Sequence, residues 1–287
     1  RISIPEADAL IDKSFPVLNR GFVRLIDYLG GDERIVQAAR VSYGEGTKTY
    51  RKDRGLIRYL MRNQHSSPFE QVVLTFHTKM PIFVARQWVR HRTARLNEVS
   101  GRYSVLKEEF YLPDGDKIAA QADNNRQGRL DAAVDPREQE EIRAALEKDQ
   151  SESYESYSQL LDRGIARELA RINLPLSLYT EWYWQIDLHN LFHFLKLRLD
   201  SHAQYEIQAY AECIFDITKK ISPIACEAFE DYILNGYGMS EAELRVIREL
   251  IDADSLNREQ LTKRYGLTKR EIERFIAVLK REQDDEI

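Results

Sequence analysis

The chain has 287 residues, 42 Lys and Arg against 47 Asp and Glu, and a formal net charge of -5. Hydrophobic residues at 43% and aromatics at 10% exclude a globally disordered polymer, and the length allows a substantial buried core. Net acidity excludes a surface coated in basic charge, the usual dress of a nonspecific nucleic-acid binder, and leaves room for a local basic pocket.

Residues 1–10 lack the apolar h-region of a signal peptide, and no apolar run approaches the ~18 residues of a membrane span. A cytoplasmic location with no membrane partner is therefore expected. Residues 22–41 read as mostly helical, broken at Gly30 and Gly31, and residues 43–47 as a turn. Residues 53–62 put Leu56, Ile57, Tyr59, Leu60 and Met61 on a short helix, and 65–70 form a loop. Residues 71–79 alternate: Val72, Leu74 and Phe76 point one way and Val73, Thr75 and His77 the other, a strand pattern. Pro81 suits the first position of a helix that runs to about Arg92. Residues 102–112 read as extended. Residues 114–134 are polar with no apolar face, a surface insertion.

Asp135, Pro136 and Glu138 match N-cap, N1 and N3 of a long helix ending near Arg163. A short helix over 167–174 stops at Pro175. Residues 179–185 are dense in aromatics and read as a strand; 188–199 and 203–221 are helical patterns. After Gly238 the composition changes: residues 240–287 carry 10 basic and 12 acidic side chains, with Tyr265 and Phe275 the aromatics. The expected class is mixed α/β (α+β), a β-sheet core flanked by long helices. The expected domains are a catalytic one over residues 1–238 and a charged helical extension over 239–287. Cys213 and Cys226 cannot build a disulfide framework or a four-cysteine zinc site and are expected to be ordinary buried thiols.

The chemistry concentrates between Arg86 and Arg102, where five arginines and His91 face one acid, Glu98. Like charges this dense repel unless an anion or acidic partner answers them, and guanidinium forks suit phosphates. The competing reading is a solvated basic face. Asn97, Glu98, Ser100 and Gly101 argue against it, because they add donors, acceptors and a backbone that a ligand can approach. All six histidines lie between positions 65 and 202. His189 and His193 share a helix face at a spacing that can hold zinc, yet the Glu of a His-Glu-x-x-His motif is absent. Arg198 and His202 would form a second, nearly opposite pair on a regular helix, and a two-faced helix suits a place between two subunits. No Gly-x-Gly-x-x-Gly, P-loop or Gly-x-Ser-x-Gly element occurs. The residues alone point to an arginine-rich pocket for a phosphorylated ligand, with histidines nearby.

Arg90-His91-Arg92, seven residues and Ser100 resemble the signature of flavin-dependent thymidylate synthases. Its longer form, Arg-His-Arg-x-x-Ser-x-Asn-Glu-x-Ser-x-Arg, is met by Asn97, Glu98, Ser100 and Arg102; Arg95 stands where the family commonly has Ser. Segments 65–70, 85–88, 170–175 and 197–204 are similar to the family too, and the likeness spans roughly residues 20–235. It implies a homotetramer with FAD bound where subunits meet, and conversion of dUMP to dTMP with methylenetetrahydrofolate as carbon donor and NADPH as reductant. Ser67, Arg90, His91, Arg92, Glu98, Asp187, His189 and His193 would then contact FAD. Gln87, Arg90, Glu98, Ser100, Gly101, Arg102, Arg171 and Arg198 would hold dUMP, with Arg198 catalytic and no metal required.

Three other readings compete. Ser100 as a nucleophile lacks an evident base. A zinc hydrolase would use His189 and His193. A nucleic-acid-binding regulator is suggested by residues 257–275, which read as helix, glycine turn, helix. The balanced charge of the tail favours instead a charged hairpin packed on its own oligomer, so no nucleic-acid partner is expected.

Overall fold

In the computed structural model, which describes residues 3–41, 50–122 and 128–280, helix α1 (Pro5–Asp8) leads to strands β1 (Ser14–Val17) and β2 (Gly21–Leu29), then to helices α2 (Asp32–Ala39) and α3 (Tyr50–Arg62). Strand β3 (Val73–Pro81), helix α4 (Ile82–Trp88) and strand β4 (Arg95–Glu98) follow, then strands β5 (Ala119–Gln121) and β6 (Arg129–Ala133). Next come helices α5 (Pro136–Asp162) and α6 (Arg167–Ala170), strand β7 (Tyr179–Asp187), and helices α7 (Leu188–Arg198), α8 (Tyr205–Ile221) and α9 (Pro223–Phe229). The last three helices are α10 (Glu241–Leu250), α11 (Arg258–Tyr265) and α12 (Lys269–Lys280). The chain divides into two compact units, Arg1–Asn235 and Gly236–Ile287. The class is the expected mixture of helix and sheet. Among the described residues no helix is long and apolar enough to cross a membrane.

Five strands pair antiparallel in the order β1-β2-β3-β7-β4. β7 arrives late in the chain and takes the place between β3 and β4, pairing Val73 with Asp187 through to Pro81 with Tyr179. Alternation then sorts the side chains. Leu74, Phe76, Trp182, Trp184 and Ile186 are buried on one face. The other face is more polar: Arg24 Nη2 donates to His77 Nδ1 (2.8 Å), and the His77 ring stacks on Tyr183 at 4.8 Å.

The buried face closes around Trp88, the last residue of α4. Its fully buried indole meets Trp182 at 5.5 Å and Trp184 at 5.2 Å on β7, Phe194 of α7 at 5.0 Å and Tyr210 of α8 at 5.9 Å. Tyr210 donates its hydroxyl to the Lys79 carbonyl at 2.7 Å, which ties α8 to β3. Cys213 and Cys226 are free thiols, half-buried and buried, and burial pushes Cys213 up to about 12.

Several sequence expectations change. Residues 22–29 form strand β2, not helix: Val23, Leu25 and Tyr28 point inward, and a bulge between Leu25 and Asp27 breaks the period of two that would have revealed it. Pro81 ends β3 and caps α4 instead of opening it, and α4 stops at Trp88, well before Arg92. Residues 95–98, mostly polar and all exposed, form β4 because β7 offers them a ladder. Residues 102–112 make a turn and irregular chain, with one bridge from Phe110 to Leu178. The insertion at 114–134 contains the β5–β6 hairpin. α7 ends at Arg198, so His202 lies beyond the helix, in a turn where it bonds Asp200. The turn expected at 43–47 lies outside the described residues.

Truncating Trp88 to Ala opens a large hole in a packed aromatic cluster, a change that costs about 3–5 kcal/mol. Among the described residues its Nε1 has no hydrogen-bond partner, so Trp88→Phe sacrifices volume but no hydrogen bond. Urea unfolding is expected to give a large loss for the Ala variant and less than half that loss for the Phe variant.

Candidate functional site

The chain emerges from its buried anchor at Trp88 directly into the basic segment. Arg90 and Arg92 are exposed and make no ion pair among the described residues. His91 turns back: its ring packs against Phe194 at 5.0 Å and His193 at 5.9 Å. Arg198, at the last turn of α7, donates from Nε to His91 Nε2 (3.1 Å) and from Nη2 to the Gln87 carbonyl (3.2 Å). The Gln87 amide donates to Gln204 Oε1. One group of predicted residues is thus assembled where α4 ends and α7 ends: Gln87, His91, His193 and Arg198.

The electrostatics of this group fix a protonation state. Burial first, then the Arg198 guanidinium and the neighbouring His193 ring, lower His91 from 6.5 to about 4. A neutral imidazole that accepts at Nε2 carries its proton on Nδ1. Burial also draws the Arg198 guanidinium down from its ordinary value, but a guanidinium remains charged near neutrality.

A second group forms after β4. Ser100 starts a turn: its carbonyl accepts from the Tyr103 and Ser104 amides (3.1 and 3.2 Å), and its Oγ accepts from the Arg102 amide (3.3 Å). Gly101 is buried beneath Arg171, and a Cβ there would lie 3.1 Å from Arg171 Nη1 and 3.0 Å from Leu106 Cδ1. Arg102 Nε pairs with Glu168 Oε2 at 3.1 Å. Glu98 Oε1 accepts from the buried Thr180 hydroxyl at 2.6 Å, which fixes the carboxylate at the end of β4. A cleft of about 500 Å³ beside this group is lined by Arg102, Tyr103, Arg167 and Glu168, among others. No hydrogen bond or ion pair joins the first group to the second among the described residues.

The remaining predicted residues are more scattered. Ser67 is exposed in the loop before β3. That loop is held by Phe69, whose ring meets Phe192 of α7 at 6.5 Å. Asp187 uses both carboxylate oxygens to cap α7, accepting from the Asn190 amide (3.0 Å) and the Asn190 side chain (2.7 Å). His189 is exposed on α7 with His193, and among the described residues no set of three metal-binding side chains exists to complete a zinc site. Sequence reasoning did not single out Thr180 or Glu168. Thr180 serves Glu98 because of the β4–β7 register, and Glu168 serves Arg102 across a loop; no local pattern signals either.

Comparison with known proteins places the chain in a family. The sequence pattern described as thymidylate synthase complementing protein matches residues 24–224. A flavin-dependent thymidylate synthase of Treponema denticola is 61% identical over 270 residues, covering 94% of this chain and 98% of that one. Another from Thermus thermophilus is 58% identical over 238 residues, covering 83% and 86%. A crystal structure of a UMP/dUMP methylase from Streptomyces cacaoi, bound with 5-Br dUMP, matches with a TM-score of 0.70 at 34% identity, over 77% of this chain and 99% of that chain. The chain belongs to the thymidylate synthase complementing protein family, and its relatives from Treponema denticola and Thermus thermophilus are flavin-dependent thymidylate synthases.

The His91 geometry makes a titration prediction. Between pH 6.5 and about 4 the unfolded chain takes up a proton that folded His91 refuses. Its contribution to stability is therefore complete above this window and is lost as pH falls through it. Imidazole NMR is expected to give His91 a midpoint near 4. In Arg198→Ala the midpoint rises toward, without reaching, the ordinary histidine value, since burial is the larger cause.

Proposed function

We propose that the chain converts dUMP to dTMP in de novo dTMP biosynthesis, with FAD as cofactor, methylenetetrahydrofolate as carbon donor and NADPH as reductant. It would act in the cytoplasm as a homotetramer with active sites shared between subunits. The observation that carries this reading is Arg198, a charged guanidinium fixed by a neutral histidine and a backbone carbonyl at the end of the basic segment.

The donor chemistry around the first group fits a flavin dinucleotide. Arg90 and Arg92 offer unpaired cations for a pyrophosphate. Ser67, His189 and His193 offer exposed donors on the elements that flank them. His91, Glu98 and Asp187 complete the expected FAD set, with Asp187 acting also through the helix it caps. When bound, the flavin supplies the hydride that completes the methyl group.

This chain's own residues bind and orient the nucleotide. Arg102 and Arg171 would take the dUMP phosphate, with the Ser100–Gly101 backbone close beneath. Gly101 is suited to this role because a side chain would push Arg171 out of place. Gln87 and Arg90 would reach the nucleotide from the end of α4, and Glu98, fixed by Thr180, would lie between the two ligands. Arg198 cannot serve as a base, because it does not release its proton. With Nε and Nη2 engaged by His91 and Gln87, Nη1 remains to stabilise negative charge that develops on the uracil ring near N3. Ser100 is turned to its own loop and among the described residues has no base within hydrogen-bond distance, which supports a binding role over a nucleophilic one. The separation of the residues into two anchored groups supports sites completed by a second subunit.

Purified protein is expected to be yellow, and NADPH is expected to bleach its flavin band. Loss of a guanidinium that acts on developing charge costs about 10²–10³ in kcat. Arg198→Ala should show a loss of that size with the flavin still bound, and Ser100→Ala should retain turnover within about tenfold. A colourless protein unable to take up FAD would overturn this function.

A further inference from the structure

The tail has the parts of a working helix-turn-helix, none of which the synthase reading uses. α10 opens with a reciprocal capping box between Ser240 and Glu243. Asn257 caps α11 by accepting from the Glu259 and Gln260 amides, both at 3.0 Å. Gly266 then takes the left-handed conformation, φ 68°, which suits glycine and ends the helix sharply. Residues 266–268 make a link of the length that joins the two helices of this motif. Thr268 and Glu271 cap α12 in turn, through Thr268 N to Glu271 Oε2 (2.9 Å) and Glu271 N to Thr268 Oγ1 (3.3 Å).

α12 has two unlike faces. Ile272, Ile276 and Leu279 are buried, and the helix packs on both α10 and α11. Lys269, Arg270, Glu273 and Arg274 are exposed, and the three cations make no ion pair among the described residues. Charge is distributed to match. The overall -5, on which the expectation of no nucleic-acid partner rests, and the balanced total of the tail both average over a strong asymmetry. Residues 258–280 carry seven Lys and Arg against three Glu, a local +4. Of those acids Glu259 pairs with Lys263 at 2.8 Å and Glu271 belongs to the cap. Asp254 of the 252–254 turn reaches α12 and pairs with Lys280, and residues 281–287 add one Arg and four acids, so the cations left for a ligand are Lys269, Arg270 and Arg274 in the first half of α12.

We propose that the C-terminal unit is a helix-turn-helix that sets α12 into the major groove of duplex DNA, with Lys269, Arg270, Glu273 and Arg274 toward the bases and phosphates. In this motif the second helix reads base edges with its N-terminal residues, and the preceding helix crosses the backbone. Arg and Lys suit guanine edges and Glu accepts from the cytosine amine, so the mixed face fits a groove better than a uniformly basic tether would. The proposal stands independently of the synthase chemistry.

The test is fluorescence anisotropy of a labelled, mixed-sequence duplex with the full chain, in saturating dUMP so that the arginines of the nucleotide site do not contribute. The wild type is expected to bind in the micromolar range at low salt and to weaken as salt rises. The triple variant Lys269→Ala, Arg270→Ala, Arg274→Ala is expected to bind about tenfold or more weakly, with a salt slope shallower by about 0.9 for each lost phosphate contact. Its melting temperature and dTMP production should match the wild type, because these side chains are exposed and outside the active site. Equal affinity and salt slope for variant and wild type would overturn the proposal. So would equally tight binding of the single strand, or no duplex binding at low salt.

Discussion

The burial of Trp88 is the constraint on which the site depends. A seven-residue helix has little stability of its own, because few of its backbone bonds lie within it. The largest of the groups that hold α4 in place, beside Val84 and Ala85, is one indole surrounded by β7, α7 and α8. That anchor decides where the helix stops and hence where the arginines begin. It also brings the end of α4 against the end of α7, so His91 comes to rest on Phe194 and beneath Arg198. The Arg198 guanidinium is thus positioned by packing several residues away from it, and rigid positioning is what the electrostatic role proposed for it requires.

The same contact explains how cations coexist at the site. A protonated His91 would set a second cation against the Arg198 guanidinium, with His193 close by. Burial and those neighbours keep it neutral, and the neutral ring then serves as acceptor for Arg198. One residue of the basic run therefore relieves the others. The second group follows a different principle: its members are held by a tight turn, a buried glycine and the β4–β7 ladder. Each group is held by its own contacts, and among the described residues neither is bonded to the other. Two rigid half-sites of complementary chemistry are what a symmetric oligomer can join across an interface, with each subunit giving one half and receiving the other.

Much of this was legible in the sequence, for identifiable reasons. α5, α7 and α8 announce themselves by caps and periodicity, and β3 by clean alternation. The arginine cluster is contiguous, so its charge is visible without any fold. β2 was hidden because Phe22, Ile26 and Leu29 put apolar groups on both faces and a bulge shifts the register. β4 was hidden because its four residues, three of them polar, become a strand only when β7, some eighty positions later, pairs with them. The link between His91 and Arg198 spans two helix ends and has no signature in either. The helix-glycine-helix outline of the tail was visible from the start, and the structure adds the separation of its apolar and cationic faces.

The claim that two half-sites meet across subunits is open to one direct measurement. Arg171→Ala and Arg198→Ala each remove one half, and each should be nearly inactive alone. After the two variants are mixed, dissociated and reassembled, random pairing gives about a quarter of the sites both intact halves. Recovery of dTMP formation toward that fraction of wild-type activity is predicted. Activity that stays at the level of the separate variants would contradict it and return both halves of the site to a single chain.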